Sequence, residues 1–156
     1  MDIIKRKLDV LNNKLKVYSL IYSFLFLFLI VILTILIIFN SRKLNTLFTI
    51  LEAITFTLII SFLLYFIKEI IIPYKEKRSL YKKGLKEKKE FIKVMVLSKS
   101  DKVSYIHHNF YYEYMINENG VNRYLYLEDN DRDFKINKEY EIYQIDNILL
   151  EVKKDA

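Results

Sequence analysis

Few side chains in this sequence have the types and spacing that catalysis requires. His107 and His108 are the only histidines. Adjacent strand residues point to opposite faces, so the pair is not expected to share a metal ion, and together with Asn109 it is typical of a loop. The acidic stretch 128–133 resembles a calcium loop in composition. It lacks the glycine at the sharp turn and the bidentate glutamate at the right spacing, so we expect a solvated turn.

The composition excludes several kinds of site. The chain has no cysteine and only two glycines, which removes thiolate chemistry, cysteine zinc sites and glycine-rich phosphate loops. No nucleophile–base pair, cofactor motif or paired carboxylate in a recognisable frame is present. We therefore expect a protein that is not an enzyme and that carries no cofactor and no catalytic or metal site.

Glu52 is the one charged residue well inside a long apolar run. A carboxylate within a membrane span is a functional-site candidate. The preferred alternative is a position near the outer interface, where Glu52 reaches water or pairs with Arg42 or Lys43. Glu52, Thr55 and Ile59 share a helix face, which suggests a helix–helix contact.

Tyrosines are dense toward the C-terminal end, and three of them, Tyr111, Tyr124 and Tyr126, are candidates for stacking a ligand. The preferred alternative is ordinary strand propensity and cross-strand packing. Residues 91–156 carry a net charge of −3, which argues against long nucleic acid. A small nucleotide or a peptide strand stays open as a ligand.

Two apolar runs dominate the N-terminal half. Residues 17–39 are uncharged, and residues 47–72 form a second run with an uncharged centre. About 20 apolar residues are needed to cross a bilayer as a helix. The linker 40–46 is long enough only to turn the chain back. The pattern predicts a membrane α-helical hairpin of two transmembrane helices over residues 17–72.

Basic residues concentrate on both flanks of this hairpin. Five Lys or Arg precede the first run, two lie in the linker, and nine lie in residues 68–90. The positive-inside rule then places both termini in the cytoplasm, and we expect a two-pass protein of a bacterial-type inner (plasma) membrane.

The flanking segments have patterns of their own. Residues 1–16 form an amphipathic basic helix, either a lipid-binding surface helix or an extension of the first span, which is preferred. Pro73 is expected to break or kink the second helix, and residues 73–90 form a basic connector weakened by Gly84. Anionic lipid headgroups are the expected contacts of its cations, with a plain solvated spacer as the alternative. Those cations are Lys75, Lys77, Arg78, Lys82, Lys83, Lys86, Lys88 and Lys89.

From residue 91 to 153 the period becomes alternating, which indicates strands. Asn119-Gly120 between two alternating runs is a strong hairpin signal, and Asp146-Asn147 marks another turn. The pattern predicts a small all-β domain, an SH3-like or OB-like barrel of five to six strands.

This layout resembles NfeD-like membrane proteins, in which an OB-like barrel follows membrane helices. It also resembles bacterial anti-phage effectors that join two membrane helices to a cyclic-nucleotide-binding β-barrel. The resemblance is one of layout, and no motif carries family residues onto this chain.

The leading hypothesis is a membrane-anchored β-barrel adaptor or scaffold that contacts a protein partner or its own copies at the cytoplasmic face. The first alternative is a membrane-perturbing effector gated by ligand binding to the β domain. The second is an accessory or immunity subunit of another membrane protein.

Overall fold

A computed structural model describes residues 3–43, 45–128 and 134–153. The chain forms two compact units. The barrel unit comprises Met1–Leu11 and Lys75–Ala156, and the helical unit comprises Asn12–Tyr74. The barrel unit is therefore built from two chain segments, one before and one after the helical unit.

The helical unit contains parts of two long helices. Helix α1 spans Ile3–Lys43 and helix α2 spans Thr46–Tyr65. They run antiparallel, because Tyr22 stacks on Phe62 at a centroid distance of 4.8 Å while Phe39 stacks on Phe48 at 6.1 Å. The expected helical hairpin is confirmed, and α1 begins well before the first apolar run, as the extension hypothesis predicts.

Most apolar side chains of this hairpin are exposed. Thr55 and Ile59 are the buried residues of α2, and the remaining Leu, Ile and Phe side chains largely face outward. Two segments, Ile3–Ser41 and Thr46–Lys86, contain stretches long and apolar enough to cross a membrane. The helices therefore present an apolar surface that no described part of the chain covers.

The helical run continues through Pro73, so the break that was one of its two expected effects does not occur. A π-helical segment, Phe66–Ile71, follows α2, and helix α3 spans Ile72–Lys86. The last π-type bond joins the Ile72 N–H to the Ile67 carbonyl, immediately before the residue that has no N–H. Proline is tolerated in the first turn of a helix, where its missing donor is not needed.

Five strands form a closed barrel in the order β1-β2-β3-β5-β4. The strands are β1 (Ile92–Ile106), β2 (Asn109–Glu118), β3 (Val121–Leu127), β4 (Glu139–Ile145) and β5 (Ile148–Val152). Neighbouring strands are antiparallel except β3 and β5, which meet in parallel. The barrel core consists of Val94, Val96, Tyr114, Ile116, Leu125, Leu127, Ile142 and Leu149. The predicted small barrel is confirmed.

The turns follow the sequence signals. Asn119 and Gly120 both have positive φ, at 50° and 86°, and they join β2 to β3. Asp146 and Asn147, with φ of 51° and 63°, join β4 to β5. Asn, Asp and Gly adopt this left-handed backbone most readily, so these short turns were predictable.

Strand β1 is longer than the alternating pattern indicated. It continues to Ile106 and forms a long hairpin with β2, whose turn is His107-His108 at φ of 49° and 55°. Register shifts interrupt the pairing after Val96 and after Lys99, which hides the alternation from sequence. Phe134 lies outside any strand, yet its ring packs 5.7 Å from that of Tyr114. Residues 129–133 of the expected acidic turn lie outside the described residues.

A second apolar layer lies on the outer side of the barrel wall. Leu80 and Tyr81 of α3 and Ile4 and Leu11 of α1 are buried residues of the barrel unit that do not belong to the core cluster. A Cβ on Gly84 would stand 3.6 Å from Cδ1 of Ile4. The Tyr143 hydroxyl donates to the Gly84 carbonyl at 3.2 Å. The apolar face expected in residues 1–16 is thus present, and in the barrel unit it packs against protein.

Candidate functional site

Helix α3 has two unlike faces. Leu80, Tyr81 and Gly84 are buried against the barrel. Residues three and four apart lie on one side of a helix, and that spacing collects four exposed cations opposite the buried face. We call this set the basic stripe: Lys75, Arg78, Lys82 and Lys86. None of the four forms an ion pair with another described residue.

The eight cations predicted to contact lipid therefore fall into two groups: those that pair with acidic residues of the barrel and those outside these pairs. Lys77 pairs with Glu128 at 3.4 Å, Lys83 with Asp146 at 3.2 Å and Lys89 with Glu151 at 2.7 Å. These three cations fasten α3 and the segment after it to the barrel. Lys88 is exposed beyond the helix end. Lipid contact stays a prediction, and the basic stripe is the part whose geometry suits it best.

A largely buried carboxylate lies between α3 and the barrel. Glu128 accepts a hydrogen bond from the Tyr81 hydroxyl, and Lys7 approaches the same carboxylate to 3.9 Å. Its side chain is 11% exposed, and its Oε1 atom has no hydrogen-bond partner in the part of the chain that is described. No sequence pattern indicates this site, because Tyr81 lies 47 positions before Glu128.

Tyr111 does not share a surface with the other two candidate tyrosines. It is 1% exposed, and its hydroxyl has no hydrogen-bond partner among the described residues. Burial raises the pKa of Tyr111, and the nearby charges of Glu128 and Glu76 act in the same direction. A ligand cannot stack on a ring that is covered in this way.

Tyr124 and Tyr126 remain available on the outer face of β3. Tyr124 is 46% exposed and lies opposite Met115, while Tyr126 is half-buried and lies opposite Glu113. Side chains two apart on a strand share a face. These two rings therefore form a small aromatic surface, which we call the tyrosine face.

Glu52 lies near the turn of the helical hairpin. The Asn40 side-chain amide donates to Glu52 Oε2 and to Thr49 Oγ1, each at 3.2 Å. The Asn45 backbone N–H donates to Asn40 Oδ1 at 3.2 Å. The Arg42 and Lys43 side chains, the expected partners of Glu52, are not described. The observed contacts give Glu52 a role in joining the two helix ends.

Thr55 and Ile59 are the other two residues expected on the Glu52 face of α2. Both are buried in α2, as expected for the face they share with Glu52. The other oxygen of Glu52, Oε1, is buried without a hydrogen-bond partner among the described residues. The helix–helix contact suggested for this face stays a prediction, and the hydrogen bond from Asn40 of α1 to Glu52 of α2 supports it.

Two described cavities are small. One, of about 180 Å³, lies between α3 and the barrel and is lined by polar groups that include Glu76, Lys83 and His107. The other, of about 120 Å³, lies between Tyr22 and Phe62 in the hairpin. Typical sites for small organic ligands measure roughly 300–1,000 Å³. The described residues also contain no group of three or more His, Cys, Asp and Glu side chains that could hold a metal ion.

Comparison with known proteins identifies no relative: no family model, curated protein or solved structure matches the chain.

Proposed function

We propose that this chain is a two-pass membrane protein that holds its β-barrel at the cytoplasmic face of a bacterial-type inner membrane. There the barrel acts as an adaptor or scaffold for a protein partner or for further copies of the chain. Its chemistry is that of binding, with no catalytic step.

One observation carries this proposal. The barrel unit incorporates residues from both sides of the helical hairpin, Met1–Leu11 and Lys75–Ala156. Ile4 and Gly84, one from each side, approach each other within it. A hairpin whose two ends belong to one folded unit is suited to hold that unit at a fixed place, which is what an anchor does.

The same observation supports the proposed topology. If both helices cross the bilayer, the chain crosses it twice and its flanking segments lie on one side. Residues that pack into one unit must share a side, so the barrel unit is compatible with two crossings and incompatible with one. The distribution of Lys and Arg then favours the cytoplasmic side.

The exposed apolar surface of the hairpin supports insertion in lipid. Leu20 and Phe24 are among many large apolar side chains that face outward. In water, a contiguous surface of this kind would drive association, because soluble monomers rarely expose more than a few hundred Å² of apolar patch. Hydrocarbon removes that cost.

The tyrosine face supports a binding role for the barrel. Exposed tyrosines supply large contact area at low cost in side-chain entropy, and they are enriched at protein interfaces. Tyr124 and Tyr126 lie on the outer face of β3, where Tyr124 is 46% exposed and Tyr126 is half-buried. A partner could contact the exposed surface of both rings.

Photo-crosslinking in living cells tests the adaptor role. A photoreactive phenylalanine analogue at Tyr124 should give a discrete adduct, whose mass separates self-association from a different partner. The same analogue at Phe28, which is exposed on α1, is the matched control for non-specific capture within the membrane. Absence of any adduct specific to Tyr124 would contradict an adaptor that uses this face.

Two further measurements separate the anchor from its alternatives. The chain should resist extraction by alkaline carbonate, and a reporter fused after Ala156 should be active only in its cytoplasmic form. Purified chain in dye-loaded vesicles should cause no release of dye. Release would instead support the membrane-perturbing effector.

A further inference from the structure

The turn of the β1–β2 hairpin carries an exposed apolar cluster that the adaptor role does not use. Tyr105 and Phe110 face each other across the two strands, with ring centroids 4.9 Å apart. Tyr105 is 56% exposed and Phe110 is 70% exposed, and Val103 lies exposed on the same side of β1. We call these three residues the aromatic tip.

The aromatic tip is held close to the beginning of α3. His108, in the turn of this hairpin, contacts Glu76 with its Nδ1 atom 2.9 Å from Glu76 Oε2. The His108 ring also lies 6.1 Å from that of Tyr105. The tip and the first turns of α3 thus belong to one neighbourhood of the barrel unit.

Glu76 in turn has a short covalent tether to the second apolar run. Glu76 lies four positions after Ile72, where that run ends. Even a fully extended chain of that length spans at most about 14 Å. The headgroup layer on each side of a bilayer is roughly 5–7 Å thick, so the tip is confined to the vicinity of the membrane surface.

The other end of β2 lies far from this tether. Strand β2 begins beside the tip and ends at the Asn119-Gly120 turn, ten residues away. A strand of that length extends about 30 Å. Val121, which follows this turn, is 65% exposed, so it matches Phe110 in exposure but lies at the opposite end.

We propose that the aromatic tip inserts into the interfacial layer of the same anionic leaflet from which the second membrane helix emerges. This inference depends on the proposed membrane anchoring. Aromatic side chains favour the boundary between headgroups and hydrocarbon. Lys75 and Arg78, on the first turns of α3, supply the complementary charge for anionic headgroups.

Such an insertion would give the barrel a second attachment besides its covalent link to the hairpin. One attachment lets a module rotate about its linker, whereas two fix which side faces the membrane. The tyrosine face would then have a constant orientation toward partners.

The absence of tryptophan from the sequence allows a direct test with the full chain. Three single variants each carry one reporter: Phe110→Trp at the tip, Val121→Trp at the far end and Phe28→Trp in α1. Each is reconstituted in nanodiscs of phosphatidylcholine and phosphatidylglycerol, with brominated lipid as the quencher. We expect strong quenching for Phe28→Trp, clear quenching with a blue-shifted spectrum for Phe110→Trp, and the emission of water-exposed tryptophan for Val121→Trp.

The outcomes separate the two proposals. Quenching at Phe28→Trp without quenching at Phe110→Trp overturns tip insertion and leaves the anchor intact. No quenching at Phe28→Trp overturns the anchor and the tip insertion together. Equal quenching at Phe110→Trp and Val121→Trp overturns the specific role of the tip, because the whole barrel would then lie in the interface.

Discussion

Gly84 and Leu150 meet where α3 crosses the barrel wall: a Cβ atom on Gly84 would stand 2.6 Å from Cδ1 of Leu150. Leu150 is fully buried, and Ile145 and Ile4 approach the same point to 3.5 and 3.6 Å. The hydrogen atom of glycine is the only side chain that fits without a shift of these neighbours. Gly84 therefore sets how closely helix and barrel approach.

Because of this contact, we expect that replacing Gly84 with alanine, a change that normally stabilises a helix, will destabilise this protein. Alanine in place of glycine normally stabilises a helix interior by up to about 1 kcal/mol. Overpacking a closed core costs about 1–3 kcal/mol, so Gly84→Ala should lower the free energy of unfolding and Gly84→Leu should lower it further. Thermal unfolding in detergent, followed by circular dichroism, measures this. Ser79→Ala, at an exposed position of α3, is the control, and a gain in stability from Gly84→Ala would contradict the close packing.

Removing the acidic partner should reduce stability more for the Lys77–Glu128 pair than for the Lys83–Asp146 pair. Glu128→Ala removes a largely buried carboxylate that pairs with Lys77 and accepts a hydrogen bond from the Tyr81 hydroxyl, which should cost about 1–3 kcal/mol. Asp146→Asn removes the acidic partner of Lys83 at an exposed site while retaining a residue suited to positive φ, and it should cost at most about 1 kcal/mol. Denaturant unfolding of both variants checks the ranking. Equal losses would mean that Glu128 contributes no more than a surface pair.

Tyr111 predicts a loss of stability at alkaline pH. Because its pKa is raised in the folded state, the neutral phenol stabilises the fold below its unfolded pKa of about 10, and this contribution is lost as the pH rises above that value. Tyr111→Phe should remove this part of the alkaline destabilisation. Since the hydroxyl has no hydrogen-bond partner among the described residues, stability at neutral pH should change little. The difference in unfolding midpoint between pH 7 and pH 11 measures the effect, and Tyr105→Phe, at an exposed position, should behave as the parent chain.

The basic stripe predicts lipid-dependent protection of particular amines. In nanodiscs with anionic lipid at low salt, Lys75, Lys82 and Lys86 should react more slowly with an amine-specific reagent than in neutral nanodiscs. The protection should fall as salt rises, because the Debye length shrinks to about 8 Å at physiological ionic strength. Mass spectrometry reports each site, with exposed Lys102 on β1 as the internal control. Equal reactivity in both lipids would make the connector a plain spacer.

Substitutions of Gly120 in the β2–β3 turn should reduce stability through backbone strain and not through steric contacts. Nothing lies within 4 Å of a Cβ on Gly120, yet its φ is +86°. Gly120→Val should therefore cost about 1–2 kcal/mol through conformational strain alone. Gly120→Asn should cost less, since asparagine tolerates this region. A calorimetric comparison of the two variants checks the order, and equal midpoints would contradict the strain.

Local patterns explain which features were predictable. The hairpin follows from two uncharged runs, and the short turns follow from Asn, Asp and Gly at positions of positive φ. His107 and His108 lie where the sequence predicts a loop and they form the β1–β2 turn, but the extension of β1 to Ile106 was missed. The bulges after Val96 and Lys99 disrupt the alternation that would have revealed it.

The surface chemistry of α3 was less predictable, because it depends on distant residues. The sequence does not distinguish a lysine that faces lipid from one that pairs with a distant acid. Lys89 and Lys83 are of the second kind, with partners 62 and 63 positions away. Gly84 likewise reads as a weak point in an isolated helix, and only the approach of Leu150 explains it. Long-range packing decided both cases.

The composition of the barrel unit also fixes an order of biosynthesis. Ile4, Ile145 and Leu150 approach the same point at Gly84, yet Ile4 is synthesised long before the other two. During translation the helical unit is synthesised between them. The apolar face of residues 3–11 therefore lacks its final packing partners while the hairpin is being inserted. An amphipathic helix in that condition can rest on the nearby lipid surface. The basic residues Lys5 and Arg6 would then have a transient use in biogenesis, separate from the packing that residues 3–11 adopt in the completed fold.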